Sequence, residues 1–401
     1  MVLELGKTTI IKTLIDIYKH NSKKVVLCAP TGRAAKKMTE STGEEAKTIH
    51  RLLEIGKFDE DKLESIDQEF KPVDADVIVI DEMSMVDVFL MNYITKAIYL
   101  GTKLVLVGDS NQLSSVGPGN ILKDIIESEK IATVNLDKIF RQAAKSDIIV
   151  NAHKVNNGEN FLRTRSDEKK ENRDCFFIQE IEQNKILSQI VSLCTGRLQK
   201  FGDYDFYKSI QVLTPTRKGS LGIRDLNKKL QEAINPESKN KNERKFGDVT
   251  FREGDRVMQI KNNYDIFWDR EIDGKYETGT GIYNGDIGKI AKIDENEKQV
   301  KVEFDDGKKT WYMFSELDQL ELAYSITIHK SQGSEFDVVI MALPQASPML
   351  LTRNLLYTGI TRAKKILILV GNGRIIDFMV NNVDSKKRNT GLKYKLIHLF
   401  K

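Results

Sequence analysis

Three short apolar runs limit what this chain can fold into. Residues 24–29 (KVVLCA), 77–80 (VIVI) and 103–107 (KLVLV) are rich in β-branched side chains and too short for core helices. Helical patterning lies beside them. Residues 7–20 set Ile10, Ile11, Leu14, Ile15 and Tyr18 at helical spacing, and 31–41 read as a helix opened by Thr31-Gly32. Continuous apolar strands alternating with helices specify a parallel sheet covered on both faces. Each strand runs directly into turn-forming or polar residues: Pro30-Thr31, Asp81-Glu82 and Gly108-Asp109. That edge is where doubly wound sheets hold their ligands.

The pattern returns later in the chain. Residues 210–213 end in Thr214-Pro215-Thr216, and 338–343 and 366–370 are further buried strands. Between them, over about 246–320, apolar and polar residues alternate singly around Asn-Gly and Asp-Gly turns. That predicts a small antiparallel barrel inserted into the second α/β block. Phe251, Phe304 and Trp311 are expected in its core. Core packing is the expected role for most of Tyr264, Phe267, Trp268 and Tyr283, with stacking on nucleic-acid bases as the alternative. The fold class is therefore α/β: two domains with parallel sheets plus an inserted barrel. The domains run 1–160, with a small charged insertion at 51–72, then 161–245 with 321–401, and the barrel at 246–320. The charge run at 163–174 reads as a solvated loop.

Composition excludes several classes. With 62 Lys+Arg against 58 Asp+Glu in 401 residues, a polyanion would bind a local groove and not the whole surface. Cys28, Cys175 and Cys194 are not at metal-ligand spacing, and the five histidines contain no HExxH pair, so no structural zinc is expected. No apolar run reaches the ~18–20 residues of a membrane helix. The start, MVLELGKTTIIK, lacks a signal-peptide pattern, and a reducing cytoplasm is the expected location.

Gly6-Lys7-Thr8 before a helix reads as the end of a phosphate-binding loop. Such a loop uses backbone N–H groups at a helix N-terminus, a Lys for the β/γ charge and a hydroxyl on Mg²⁺. Positions 2–5, Val-Leu-Glu-Leu, supply none of the expected glycine. VIVIDE at 77–82 is the matching acidic strand: Asp81 for Mg²⁺, Glu82 to polarise a water. VGDSNQL at 107–113 follows in the order a phosphate-binding sheet requires.

With these motifs in place the chain resembles a superfamily 1 helicase of the RecD/TraA group, translocating 5′→3′ on DNA. The resemblance rests on APTGRAAKKM (29–38), AKTIHRLL (46–53), VIVIDEMSMVD (77–87), LVGDSNQLSSVGPGN (106–120), IFRQ (139–142), AYSITIHKSQGSEFD (323–337) and LLYTGITRAKK (355–365). It implies two RecA-like P-loop motor domains with an SH3-like barrel, ATP and Mg²⁺ between the motors, and one DNA strand across them. It implies that Gly6, Lys7, Thr8, Thr9, Asp81, Gly333 and Glu335 bind the nucleotide, with Thr8 and Asp81 on the metal. Glu82, Gln112, Arg141 and Arg362 would be catalytic, the two arginines as fingers from either side. Thr31, Arg33, Thr48, His50, Thr214, Thr216, Arg217, Thr327, His329 and Lys330 would face DNA, where hydroxyls and cations suit phosphate contacts. A capping or turn role is the alternative for each of these. The implied activity is ATP-driven unwinding by a monomer acting on single-stranded DNA and duplex junctions, and 51–72 would carry a strand-splitting pin. Family members have a strand and a Gly-rich loop before the GKT, so the chain is expected to be a shortened version of a longer protein. The alternative function is a remnant that binds single-stranded DNA and hydrolyses ATP weakly or not at all. A relaxase-linked motor would need a histidine-rich nicking domain ahead of residue 1.

Overall fold

The computed structural model describes residues 2–55, 71–136, 145–161, 173–272, 274–383, 388 and 390–399. Arg141, the IFRQ motif and most of the 51–72 insertion lie outside them. The chain forms two compact units, Met1–Lys145 with Asp384–Lys401, and Ser146–Val383.

In the first unit four parallel strands lie in the order Ala46–Thr48, Val25–Ala29, Val77–Ile80, Lys103–Leu106. Val77–Ile80 is buried along its whole length, as a strand covered on both faces must be. One face is covered by the helix Val2–His20, whose Ile11 and Ile15 pack with Leu27, Met38, Val77 and Val79. The other is covered by Val88–Lys96 and Ile121–Ser128, with Leu90, Ile94, Leu122 and Ile125 against Cys28, Ile78 and Ile80. Each such aliphatic side chain contributes roughly 1.5–3 kcal/mol by leaving water. The last helix, Leu392–Leu399, also packs here through Leu392 and Leu396, although the sequence reading groups 321–401 with the second motor.

The first helix begins earlier than the sequence reading places it. Leucine and glutamate are good helix formers, and one glycine costs only about 1 kcal/mol, so nothing in 2–6 stops the helix. Gly6, Lys7 and Thr8 consequently lie in its second turn, not at its N-terminus. Their amides point along the helix axis at carbonyls four residues back.

The second unit holds five parallel strands, in the order Ser325–Thr327, Ile210–Thr214, Phe336–Leu343, Ala363–Gly371, Cys175–Gln179. The three central strands are those the sequence marks as buried, and the two edge strands are additional. The inserted barrel has seven antiparallel strands, in the order Lys275–Ile282, Asn263–Ile272, Lys309–Met313, Gln299–Phe304, Ile287–Asp294, Arg256–Gln259, Leu320–Leu322. A hairpin of Glu243–Phe246 and Val249–Arg252 accompanies it. One continuous core joins Phe206, Val212, Leu226 and Ile340 to Phe251, Ile290, Val302, Phe304 and Tyr312 of the barrel.

The expectation for Trp311 fails. Burial alternates along Lys309–Met313, with Thr310 and Tyr312 inward and Trp311 outward, 38% exposed. Trp311 carries Lys301 Nζ over its ring at 5.4 Å, a cation–π contact on the outer face. Phe251 and Phe304 are buried as expected.

A buried polar cluster ties barrel to sheet. The Asp255 carboxylate accepts from Gln231 Nε2 (2.6 Å), Asn235 Nδ2 (2.7 Å), the Arg252 amide (2.7 Å) and Tyr324 OH (2.8 Å). Arg256 donates to the carbonyls of Phe206 and Ile210, both at 2.9 Å. Among the described residues no helix is long and apolar enough to cross a membrane.

Candidate nucleotide and nucleic-acid site

Parallel pairing brings the ends of all four strands of the first unit to one edge. The ladder continues past those ends: the Asp81 amide donates to Cys28 O (3.0 Å), Val107 to Ile80 O (2.8 Å) and Met83 to Val107 O (3.0 Å). These bonds fix the two acids between the neighbouring strands. Asp81 is half-buried and its Oδ1 accepts from the Glu82 amide at 2.8 Å. Glu82 is buried and sits at φ 54°, a left-handed conformation that costs a non-glycine residue on the order of 1–3 kcal/mol. Gly108 is what lets the next loop run against this turn, since a Cβ there would stand 3.0 Å from the Met83 amide nitrogen. Gln112 is buried on that loop and its Nε2 donates to Asp109 Oδ2 at 3.4 Å. Two acids and a buried amide thus converge on adjacent strand ends.

The nucleic-acid candidates of this unit occupy the other two strand ends. Thr31 and Thr48 each N-cap the following helix, accepting from Ala34 N (3.2 Å) and Arg51 N (3.1 Å). A capping hydroxyl still has its own proton to donate to a phosphate. Arg33 and His50 are half-buried within the first turn of those helices. Burial holds the His50 imidazole below its ordinary pKa, against the opposing pull of Asp87, so it is neutral at pH 7.

In the second unit the strand pairing that sets Thr327 beside Thr214 joins two more candidate segments. Thr214 is buried and donates to Leu221 O at 2.7 Å, a turn-holding role. Thr216 donates to Lys218 O at 2.6 Å, while Arg217 is exposed. Thr327 accepts from the Lys330 amide at 3.2 Å, and Lys330 Nζ is paired with Glu321 at 2.5 Å. His329 is exposed. Gly333 takes φ 71°, and Glu335 pairs with Lys364 at 3.6 Å. Arg362 is fully buried, donating to Thr358 O (3.1 Å), Ser334 O (3.0 Å) and Thr361 Oγ1 (3.0 Å). In this conformation its guanidinium is committed to its own turn and to the Ser334 carbonyl.

The fit to a magnesium nucleotide is split. Mg²⁺ keeps several waters and takes one or two protein ligands, and a half-buried Asp81 at a strand end is of that kind. Among the described residues no three or more His, Cys, Asp or Glu side chains gather into a metal site, so no all-protein cage is present. The phosphate cradle does not fit here: amides of Gly6, Lys7 and Thr8 in the second turn of a helix cannot point at a ligand.

Reading the sequence by motif alone misses what supports the Gln112 loop. A Cβ on Gly117 would lie 1.9 Å from Asp87 Oδ2, and Asp87 caps Leu90 N at 2.8 Å. The GPG at 117–119 is the one signal of this close approach. The loop's remaining support, Arg388, has no local signal.

Comparisons with known proteins agree with this architecture. The AAA domain family matches residues 5–172, the SH3 domain of ATP-dependent RecD-like DNA helicases matches 226–304, and the UvrD-like helicase C-terminal domain matches 322–370. The ATP-dependent RecD2 DNA helicase of Deinococcus radiodurans is 34% identical over 369 residues, covering 92% of this chain and 46% of that protein. The RecBCD enzyme subunit RecD of Buchnera aphidicola is 29% identical over 435 residues, covering 92% of this chain and 69% of the relative. The chain thus spans less than half the length of the Deinococcus protein. Among solved structures, the Pif1 helicase from Bacteroides in complex with ADP-AlF3 and ssDNA aligns over 93% of this chain and 87% of its own. Its TM-score is 0.51 at 19% identity, a likeness of fold. An acidic strand end, a barrel matched by the RecD-like helicase SH3 model and a C-terminal sheet matched by the UvrD-like helicase model make this chain similar to RecD-like DNA helicases along most of its length.

Proposed function

We propose that the chain is the motor of an ATP-dependent DNA helicase that moves 5′→3′ along single-stranded DNA. The observation that carries the reading is the convergence of Asp81, Glu82 and Gln112 on adjacent ends of one parallel sheet. Ends of the remaining strands carry Thr31, Arg33, Thr48 and His50, a set suited to phosphates and to no particular base. In this reading Asp81 is the metal-side group and Gly333 and Glu335 are phosphate-side groups, while Gly6, Lys7, Thr8 and Thr9 take the roles the resemblance gives them only if the first turns of the helix Val2–His20 open. Glu82 is the acid beside the attacking water, and Arg141 offsets charge on the transferred group, a role Arg362 takes only on leaving its bonds to Thr358, Ser334 and Thr361. The buried, acid-paired environment of Glu82 and Gln112 supports these roles. Single-stranded DNA bound by the Pif1 structure, and the helicase names of the relatives, support a nucleic-acid substrate. Cys28, Cys175 and Cys194 are buried and none is in a disulfide, which suits a reducing cytoplasm.

One observation favours a second reading, a DNA-binding protein without hydrolysis: the amides of Gly6, Lys7 and Thr8 lie inside a helix and are not open to phosphate. Strand displacement on two forked duplexes, one with a 5′ tail and one with a 3′ tail, tests the first reading. It predicts ATP-dependent displacement of the 5′-tailed fork alone. Displacement from the 3′ tail reverses the polarity. Tail binding without displacement favours the second reading.

A further inference from the structure

The loop that carries Gln112 has a second half with almost nothing to hold it. Residues 115–119 are Ser-Val-Gly-Pro-Gly, and Val116 is 95% exposed. Pro118 O accepts from the Val88 amide at 3.0 Å, and Ser115 Oγ donates to Gly117 O at 3.2 Å. Three of the loop's carbonyls are gathered by one side chain from the far end of the sequence. Arg388 Nη1 donates to Gly117 O (2.5 Å), Gly119 O (2.7 Å) and Ser115 Oγ (3.3 Å), and Nη2 donates to Ser115 O (2.5 Å). The segment around Arg388 is itself anchored. Thr390 donates to Asp124, Lys393 pairs with Glu127 at 2.9 Å, and Leu392 and Leu396 join the core beneath.

We propose that Arg388 is a positioning residue for Gln112, acting through this loop; the proposal rests on the nucleotide reading of Asp81, Glu82 and Gln112. A planar, permanently charged fork of five N–H donors can serve three carbonyls at once, which an ammonium on a flexible stem cannot hold in fixed geometry. Gly117 and Gly119 leave the loop no side chains of its own at those two positions. A Cβ on Gly117 would meet Asp87, and one on Gly119 would lie 2.2 Å from Val88 Cγ2. The loop must stay bare to fit, so its rigidity is supplied from outside. Removing the fork frees the segment three residues beyond Gln112 and lets that side chain leave its place beside Asp109.

The test compares the full chain with Arg388→Ala, Arg388→Lys and a control at the exposed Lys395, Lys395→Ala, by amide hydrogen exchange and by steady-state ATP hydrolysis with saturating single-stranded DNA. The expected result for Arg388→Ala is faster exchange across 112–119. Its kcat falls roughly tenfold to a hundredfold, the scale set by an ångström of misplacement, while KM for ATP stays unchanged. Arg388→Lys lies between, and Lys395→Ala matches the parent in both. A purely structural role predicts a lower melting temperature with kcat intact, which overturns the proposal, as does unchanged exchange at 112–119. If Arg388→Ala fails to fold, Arg388→Lys carries both measurements. If the parent chain itself hydrolyses no ATP, the nucleotide reading fails, and the exchange result alone decides whether Arg388 clamps the loop.

Discussion

Replacing Asp255 by asparagine keeps the shape of a fully buried side chain and changes only its hydrogen-bonding character. Each carboxylate oxygen accepts two bonds: Oδ2 from Gln231 and the Arg252 amide, Oδ1 from Asn235 and Tyr324. An amide in the same place offers one oxygen and one NH₂, so two of the four donors lose their acceptor and face another donor. Bonds to a charged acceptor are worth about 1.5–3 kcal/mol each, for a gross loss of about 3–6 kcal/mol. The amide no longer has to hold a charge out of water, which returns part of this. Burial already holds the Asp255 carboxyl above its ordinary range, against the pull of its four donors. A net loss of about 3 kcal/mol follows, equivalent to a fall of about 6–12 °C in melting temperature for a unit of this size. The chain's two tryptophans, Trp268 and Trp311, both lie in barrel strands, so intrinsic fluorescence during thermal or urea unfolding reports this region. An Asp255→Asn variant that melts within 1 °C of the parent would refute the assignment of Asp255 as the polar tie between barrel and sheet. The raised pKa also fixes a sign. A carboxyl that binds its proton more tightly when folded contributes most below the unfolded pKa, and loses that contribution as pH rises through the folded one. The gap between parent and Asp255→Asn therefore widens as pH is lowered from neutrality toward 3.8.

Two other consequences are separable. The depressed His50 pKa means that its contribution is fully present above 6.5 and lost as pH falls through the folded value. His50→Gln should therefore match the parent's pH dependence above that point and gain on it below, in melts at stepped pH; parallel curves would contradict the burial argument. Trp311→Ala should cost about 1–2 kcal/mol, the loss of a partly covered ring and its cation–π contact, whereas Phe304→Ala should cost about 3–5 kcal/mol. Equal losses in a urea titration would return Trp311 to the core.

Much of the fold is legible because its signals are local. A strand such as 77–80 is apolar at every position because both of its faces are covered, and that pattern needs no knowledge of its partners. The same holds for the central strands of the second sheet, and for the single alternation of the barrel. Edge strands give less. Cys175–Gln179 follows a charge run and has one neighbour, and Ser325–Thr327 is three residues long. Trp311 misleads because size and aromaticity suggest a core, while strand parity, set by Tyr312, decides which way it faces. Asp255 reads as a turn residue, and its partners lie in a helix before the barrel and in Tyr324 after it. The acids after 77–80 announce themselves through the strand that ends on them. The support of the Gln112 loop does not, because Arg388 lies more than 260 residues away. The GKT is legible as a motif, but its placement inside the helix Val2–His20 depends on what precedes it, where Val-Leu-Glu-Leu favours helix over loop.

The measurement closest to the central claim is ATP hydrolysis by the full chain, with and without single-stranded DNA, beside Glu82→Gln. The account predicts hydrolysis that depends on DNA and falls at least a hundredfold in Glu82→Gln, roughly the loss expected when a catalytic acid–base group is removed. Hydrolysis that persists in Glu82→Gln would contradict the assignment of the acidic strand end. DNA binding with no hydrolysis by either protein would contradict the motor reading and leave a nucleic-acid-binding protein similar to RecD-like helicases.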